Sequence, residues 1–92
     1  MYKQSDGRTY DGEWKQNMMH GEGVYKWPDG RKYIGRYYED KKDGFGIYEW
    51  IDGRRFEGEW RKGKRNGPGK IIYPSGMEKY GFWVDDKREE PE

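Results

Sequence analysis

The sequence predicts an all-β protein, an elongated single-layer antiparallel meander of stacked β-hairpins, twisted into a right-handed ribbon or trough. Three observations predict it. The first is a strict period, the interval that separates Tyr10 from Tyr33 and Tyr33 from Phe56: fourteen of the fifteen glycines, all but Gly63, together with all five tryptophans, fall on its positions. Each 23-residue period is therefore one structural unit. The second is composition. There is no Ala and no Leu, and nine Tyr, five Trp and three Phe outnumber the aliphatic side chains, a set that favours strands over helices. The third is alternation: Tyr10, Gly12 and Trp14 share one face of an extended strand, and Asp11 and Glu13 share the other.

Taken in order, residues 1–9 read as a partial repeat, because Tyr2 and Asp6-Gly7 stand one period before Tyr25 and Asp29-Gly30. The chain thus starts in mid-unit, as a segment of a longer array would. Complete repeats cover 10–32, 33–55 and 56–78, and a half repeat covers 79–83. Residues 84–92 read as a charged C-terminal loop or tail, since Glu90 and Glu92 replace the grid glycines and Pro91 opposes ladder pairing. Within a unit, the second arm repeats the alternation with Gly23, Tyr25 and Trp27 on the aromatic face. The polar link 15–20 is expected to close the hairpin, and Pro28-Asp29-Gly30 to turn the chain into the next one. About eight strands at ~4.8 Å each would give a sheet roughly 38 Å long.

Glycine on the aromatic face leaves a hole across which a neighbouring ring can lie, so rings pack without a second layer. The face so defined carries Tyr10, Trp14, Tyr25, Trp27, Tyr33, Tyr37, Tyr48, Trp50, Phe56, Trp60, Tyr73 and Trp83. Either these rings mainly cover one another, or they leave open a partner-binding trough larger than a monomer usually exposes. Both readings stand together.

Little in the sequence supports catalysis. His20 is the single histidine, and its grid partners Asp43 and Asn66 mark a polar turn position before a glycine. The Gly-x-Gly triplets that begin at Gly21, Gly44 and Gly67 lack the remainder of a phosphate loop. Asp6, Asp29 and Asp52 precede turn glycines, and Ser5 and Ser75 are turn residues. No catalytic residue, metal ligand, cofactor or small-molecule substrate is expected. Without cysteine there is neither a disulfide scaffold nor a thiolate metal site. No apolar run approaches the length of a membrane span. A net charge of +1 on 40% charged residues gives no pull toward nucleic acid.

Charge placement adds one alternative. Lys41-Lys42, Lys64-Arg65 and Lys87-Arg88 recur once per period at one set of hairpin loops, and Arg31-Lys32 and Arg54-Arg55 recur at the other. Such ladders would meet acidic phospholipid headgroups at ~1 kcal/mol per residue, although Asp40, Asp43, Asp85 and Asp86 offset much of the field. At the last strand, Tyr80 and Phe82 put two rings on the otherwise charged face. They form an expected end contact with a second copy or another chain, unless the tail folds back over them.

Tyr10-Asp-Gly12-Glu-Trp14 with Gly21-Glu-Gly23, Tyr33-Ile-Gly35-Arg-Tyr37 with Gly44-Phe-Gly46, and Phe56-Glu-Gly58-Glu-Trp60 with Gly67-Pro-Gly69 resemble MORN repeats (membrane occupation and recognition nexus). The resemblance covers nearly the whole chain. Lys79, in place of an aromatic residue, and Met18-Met19, in place of the loop Gly-Lys, depart from it. It implies hairpin arrays that act as non-enzymatic scaffolds or protein-interaction modules in cytoskeletal, ciliary or other large assemblies. It also implies a cytoplasmic setting, with another protein chain or a second copy as partner and acidic lipid as the alternative.

Overall fold

The rule that decides the fold is that each strand finds its partner next to it in sequence. The structure, a computed structural model, describes residues 1–89. Its strands are β1 (Tyr2–Lys3), β2 (Thr9–Lys15), β3 (Met18–Lys26), β4 (Lys32–Tyr38), β5 (Lys41–Glu49), β6 (Arg55–Arg61), β7 (Lys64–Ile72), β8 (Glu78–Val84) and β9 (Lys87–Arg88). They form one sheet in that order, every pair antiparallel. Among the described residues there is no helix. The molecule measures 44 × 26 × 17 Å, elongated as a single open meander should be.

Two rails run across the strands. Tyr10, Tyr25, Tyr33, Tyr48, Phe56 and Ile71 pair in succession from β2 to β7. Beside them Gly12, Gly23, Gly35, Gly46, Gly58, Gly69 and Gly81 pair in succession from β2 to β8. The rings of Tyr10, Tyr33 and Phe56 lean from the first rail across the second. A side chain at Gly23 would collide with the ring of Tyr10, and one at Gly46 with the ring of Tyr33. The Tyr10 and Tyr33 hydroxyls donate to the carbonyls of Glu13 and Arg36, each at 2.9 Å, so the polar tip is satisfied while the ring is buried. Tyr10, Tyr25, Tyr33, Tyr37, Phe56, Trp60 and Trp83 make up the buried core.

Three features differ from the sequence expectation. The link 15–20 is not a six-residue loop. Strand β2 runs to Lys15 and β3 starts at Met18, leaving the two-residue turn Gln16-Asn17, with φ of 51° and 64°. Glu39-Asp40 and Asp85-Asp86 repeat this pair of positive φ angles, as does Lys62 with Gly63, the pattern of a two-residue hairpin turn matched to sheet twist. Second, Gly21, Gly44 and Gly67 do not make room for rings. Their φ values of 70°, 96° and 106° let β3, β5 and β7 carry extra residues where the register shifts after Gly12, Gly35 and Gly58. Third, the segment 84–92, expected as a loop or tail, contains strand β9, which pairs Arg88 with Trp83 and Lys87 with Val84. The disruptive residues assigned there, Glu90, Pro91 and Glu92, lie outside the described residues.

The inter-hairpin turns form as expected. Gly30 N donates to Trp27 O at 3.1 Å, and the Asp29 carboxylate accepts from Arg31 N at 3.0 Å. Asp52 and Arg54 repeat the arrangement at 3.0 Å, which accounts for both aspartates as turn braces.

Gly35 tests the ring-over-glycine core. A Cβ there would lie 2.5 Å from Gly46 Cα and 2.7 Å from the Tyr33 hydroxyl, whereas Arg36 is exposed and pairs with exposed Glu22 at 3.3 Å. Gly35→Val is expected to lower stability by about 3 kcal/mol, at the upper end of overpacking costs, and Arg36→Val by under about 1 kcal/mol. Chemical denaturation of both variants checks the order, and a reversed order would mean that the faces are assigned the wrong way round.

Candidate functional site

The aromatic face is the candidate site, and its rings are unequally covered. Tyr33 and Phe56 are fully buried. Trp27, Tyr48 and Trp50 are half-buried against them. Edge-on contacts link the units: Trp60 meets Tyr33 at 5.6 Å and Phe56 at 5.5 Å, and Trp83 meets Phe56 at 4.8 Å. The Trp60 indole also donates to Gly46 O at 3.2 Å. Tyr73 is half-buried and stands outside the cluster. Over most of the array, then, the rings cover one another.

The basic pairs explain much of that cover. They lie at the starts of β5, β7 and β9 and not in loops, so alternation sends their two members to opposite faces. Lys41, Lys64 and Lys87 are exposed, while Lys42, Arg65 and Arg88 are partly buried. The Lys42 ammonium sits among four rings, 5.9 Å from Trp27, 5.6 Å from Tyr33, 5.7 Å from Tyr48 and 5.3 Å from Trp60. Burial lowers its pKa, and Arg31 lowers it further against an opposing pull from Asp86. Arg65 lies 5.9 Å from Trp50, 5.6 Å from Phe56 and 6.0 Å from Trp83, held by Asp86 at 3.2 Å. Arg88 reaches back to Tyr80 O at 3.1 Å. The second basic ladder is likewise engaged. Arg31 and Arg54 pair with Asp29 and Asp52 at 2.8 Å and cover Trp27 and Trp50, Lys32 faces Glu49 at 3.8 Å, and Arg55 faces Glu57 at 3.1 Å.

The first repeat is different. There Met19 takes the place of Lys42 and Arg65, and a groove of about 530 Å³ opens among Tyr2, Tyr10, Trp14, Met19, Tyr25 and Asp40. Trp14 is 46% exposed and Tyr2 52%, the two rings touching edge to face at 5.6 Å. Gln4 donates to the Tyr25 hydroxyl at 3.0 Å at the groove's edge. The sequence reading placed Trp14 in the trough but passed over Tyr2, Met19 and Asp40. The regular spacing of Met19, Lys42, Arg65 and Arg88, one to each period, combined with strand parity, was the signal that could have found them.

Tyr80 and Phe82 are 68% and 51% exposed. Near Tyr80, a shallow groove of about 460 Å³ on the same face runs past Pro68 to Phe45. His20 stands in β3, not in a turn, with its ring 5.4 Å from Tyr38. Among the described residues no three His, Cys, Asp or Glu side chains gather as a metal site.

An open sheet of hairpins recurring at one fixed period, with rings laid over paired glycines, defines a β-hairpin repeat protein. The MORN repeat model matches residues 10–30, 33–54 and 56–78, and the chain belongs to that family, whose repeats are generally non-catalytic modules. No curated protein matches the chain.

Burial of the rings has a measurable consequence at alkaline pH. Desolvation raises the phenol pKa of Tyr33, with Glu22 and two other carboxylates adding to it, and raises that of Tyr37 and Tyr10. The folded sheet therefore holds these three protons more tightly than the unfolded chain. Their stabilisation is full below the ordinary phenol value of 10.0 and is lost as pH climbs toward the raised values. Lys42 has the opposite sign: its lowered pKa means that the unfolded chain holds its proton longer, so stability is gained as pH rises toward 10.5. Three groups outweigh one. The melting temperature is expected to fall above about pH 10, with the buried tyrosines ionising only as the sheet unfolds. Tyr33→Phe should move the alkaline unfolding midpoint upward in a tyrosinate-absorbance titration; an unmoved midpoint would contradict the assignment.

Proposed function

We propose that this array is a non-catalytic protein-interaction module, a scaffold element whose partner docks in the open mouth of the aromatic trough at the first repeat. The observation that carries the reading is the contrast along one face: rings closed over by Lys42 and Arg65 in the later repeats, and the groove with exposed Trp14 and Tyr2 in the first. Large amphipathic rings that gain area on contact at little entropic cost are favoured at binding surfaces. The setting we infer is a large cytoplasmic assembly of cytoskeletal or ciliary type.

Of the first basic ladder, the acidic-lipid alternative rests on the exposed lysines Lys41, Lys64 and Lys87, because Lys42 and Arg65 are drawn onto rings and Arg88 donates to Tyr80 O. A photoreactive phenylalanine analogue at position 14 is expected to cross-link a discrete partner in extract of the source cell, while the same analogue at position 34, exposed on the opposite face, is not. Sedimentation with anionic and neutral liposomes decides the alternative. Retention on anionic vesicles alone, released by Lys41→Glu, Lys64→Glu and Lys87→Glu together, would replace the protein-binding reading by the lipid one.

Tyr80 and Phe82 support a second reading, self-association through the β8 end, because both rings are exposed and Tyr80 lines an apolar groove there. Light scattering is expected to show a concentration-dependent mass that Tyr80→Lys with Phe82→Lys reduces to the monomer. A parent that stays monomeric throughout would remove this contact.

A further inference from the structure

The repeats supply an internal template for what the open groove binds. Tyr10, Tyr25 and Tyr37 stand one period before Tyr33, Tyr48 and Trp60, the rings that hold the Lys42 ammonium. The first repeat thus has three of the four rings of a cation box, of which Tyr10 and Tyr25 line the groove together with Trp14, but the residue at the cation's position is Met19, which is neutral and flexible. It also has a carboxylate, Asp40, at the turn position that Gly63 takes beside Lys42 and Asp86 takes beside Arg65. In the later repeat, Asp86 Oδ1 accepts both the main-chain N–H of Arg65, at 2.8 Å, and its guanidinium, at 3.2 Å. Asp40 stands at the corresponding turn position opposite Met19. Its Oδ1 accepts the Met19 N–H at 2.7 Å, yet it forms no ion pair among the described residues. Burial raises the Tyr10 phenol pKa, and Glu13, Asp11 and Asp40 add to the shift. Trp14 and Tyr2 extend the aromatic wall outward, and the space left is about 530 Å³.

We propose that this groove receives a lysine side chain of a partner protein, its ammonium against Tyr10, Tyr25 and Trp14 and facing Asp40, in the place that Lys42 fills from within the chain one repeat later. Lysine is favoured over arginine because the tyrosines of the first box match the rings around Lys42 more closely than those around Arg65, where Phe56 and Ile71 stand at the corresponding positions. The inference rests on reading the trough as a protein-binding surface and adds the chemistry of what is bound.

The test is a titration of the full chain with acetyl-Gly-Lys-Gly-amide and, separately, with acetyl-Gly-Gln-Gly-amide, followed through the NMR signals of the aromatic rings and the Met19 methyl. The lysine peptide is expected to shift the signals of Tyr10, Trp14, Tyr25 and Met19, and to bind about tenfold more tightly than the glutamine peptide, the worth of one ring-bound cation. Met19→Lys supplies the cation from within, so it is expected to abolish binding and to raise the melting temperature. Should Met19→Lys fail to fold, Asp40→Asn, which keeps an oxygen for the Met19 N–H, is expected to weaken the lysine peptide severalfold and leave the glutamine peptide unchanged. Equal binding of the two peptides, no shift at these rings, or undiminished binding by folded Met19→Lys would overturn the proposal. If that happens while a partner still cross-links at position 14, the lysine assignment fails and the protein-binding reading stands; loss of the cross-link as well removes both.

Discussion

Everything in this sheet depends on a ring lying across a pair of glycines. A single layer has no opposing sheet or helix to bury its apolar face, so the cover must come from the face itself. The glycine rail from Gly12 to Gly81 keeps one line across the strands free of side chains, and Tyr10, Tyr33 and Phe56 lie down on it. Each such burial is worth roughly 1.5–3 kcal/mol, with edge-to-face contacts adding about 0.5–1.5 kcal/mol. Because Trp60 packs on Tyr33 and Trp83 on Phe56, part of each unit's core is supplied by the next. Stability is therefore shared between neighbours, as in other repeat arrays, and the strictness of the period follows: a residue inserted between ring and glycine would turn a whole strand over.

Charge completes the cover. Arg31 and Arg54 lie on Trp27 and Trp50 while bracing the aspartates of their own turns, so one pair of residues ties a turn and shields a ring. Lys42 is the more demanding case. Bringing an ammonium among four rings sacrifices hydration, and its lowered pKa records that loss; attraction to the ring faces offsets it. A composition that reads as 40% charged surface thus includes cations that cover the core.

The architecture was legible because its determinants are single residue types at fixed spacing: glycine where no Cβ fits, rings two residues away, and a further glycine, after Asp or Ser, where the chain turns. The hairpin ends were less legible. Residues 15–20 and their equivalents are mostly polar, so alternation of hydrophobicity falls silent although the strands continue. The turn itself was encoded more faintly, by Asn17, Asp40, Gly63 and Asp86 at one position of the period, each a residue that tolerates positive φ. Gly63, the one glycine off the main grid, is the turn glycine of that set. The candidate site was legible as a face but not as a place. Which rings stay open depends on what stands at the position shared by Met19, Lys42 and Arg65, and polarity alone assigned the two cations to a solvated rim.

That position is where stability and recognition separate. With lysine or arginine, a repeat closes on itself: the cation covers the rings and, at Arg65, satisfies the carboxylate of the neighbouring turn. With methionine, the side chain packs beside the rings without losing hydration, but among the described residues Asp40 is left without a cation and Trp14 without a lid. Rings and a carboxylate converging on unfilled space form a surface that gains by contact with a cation from outside the chain. On the proposed reading, the same repeat plan yields either a closed structural unit or an open binding unit, by exchange of a few side chains on the aromatic face, Met19 for Lys42 and Gln4 for Trp27 among them, with the glycine rail retained.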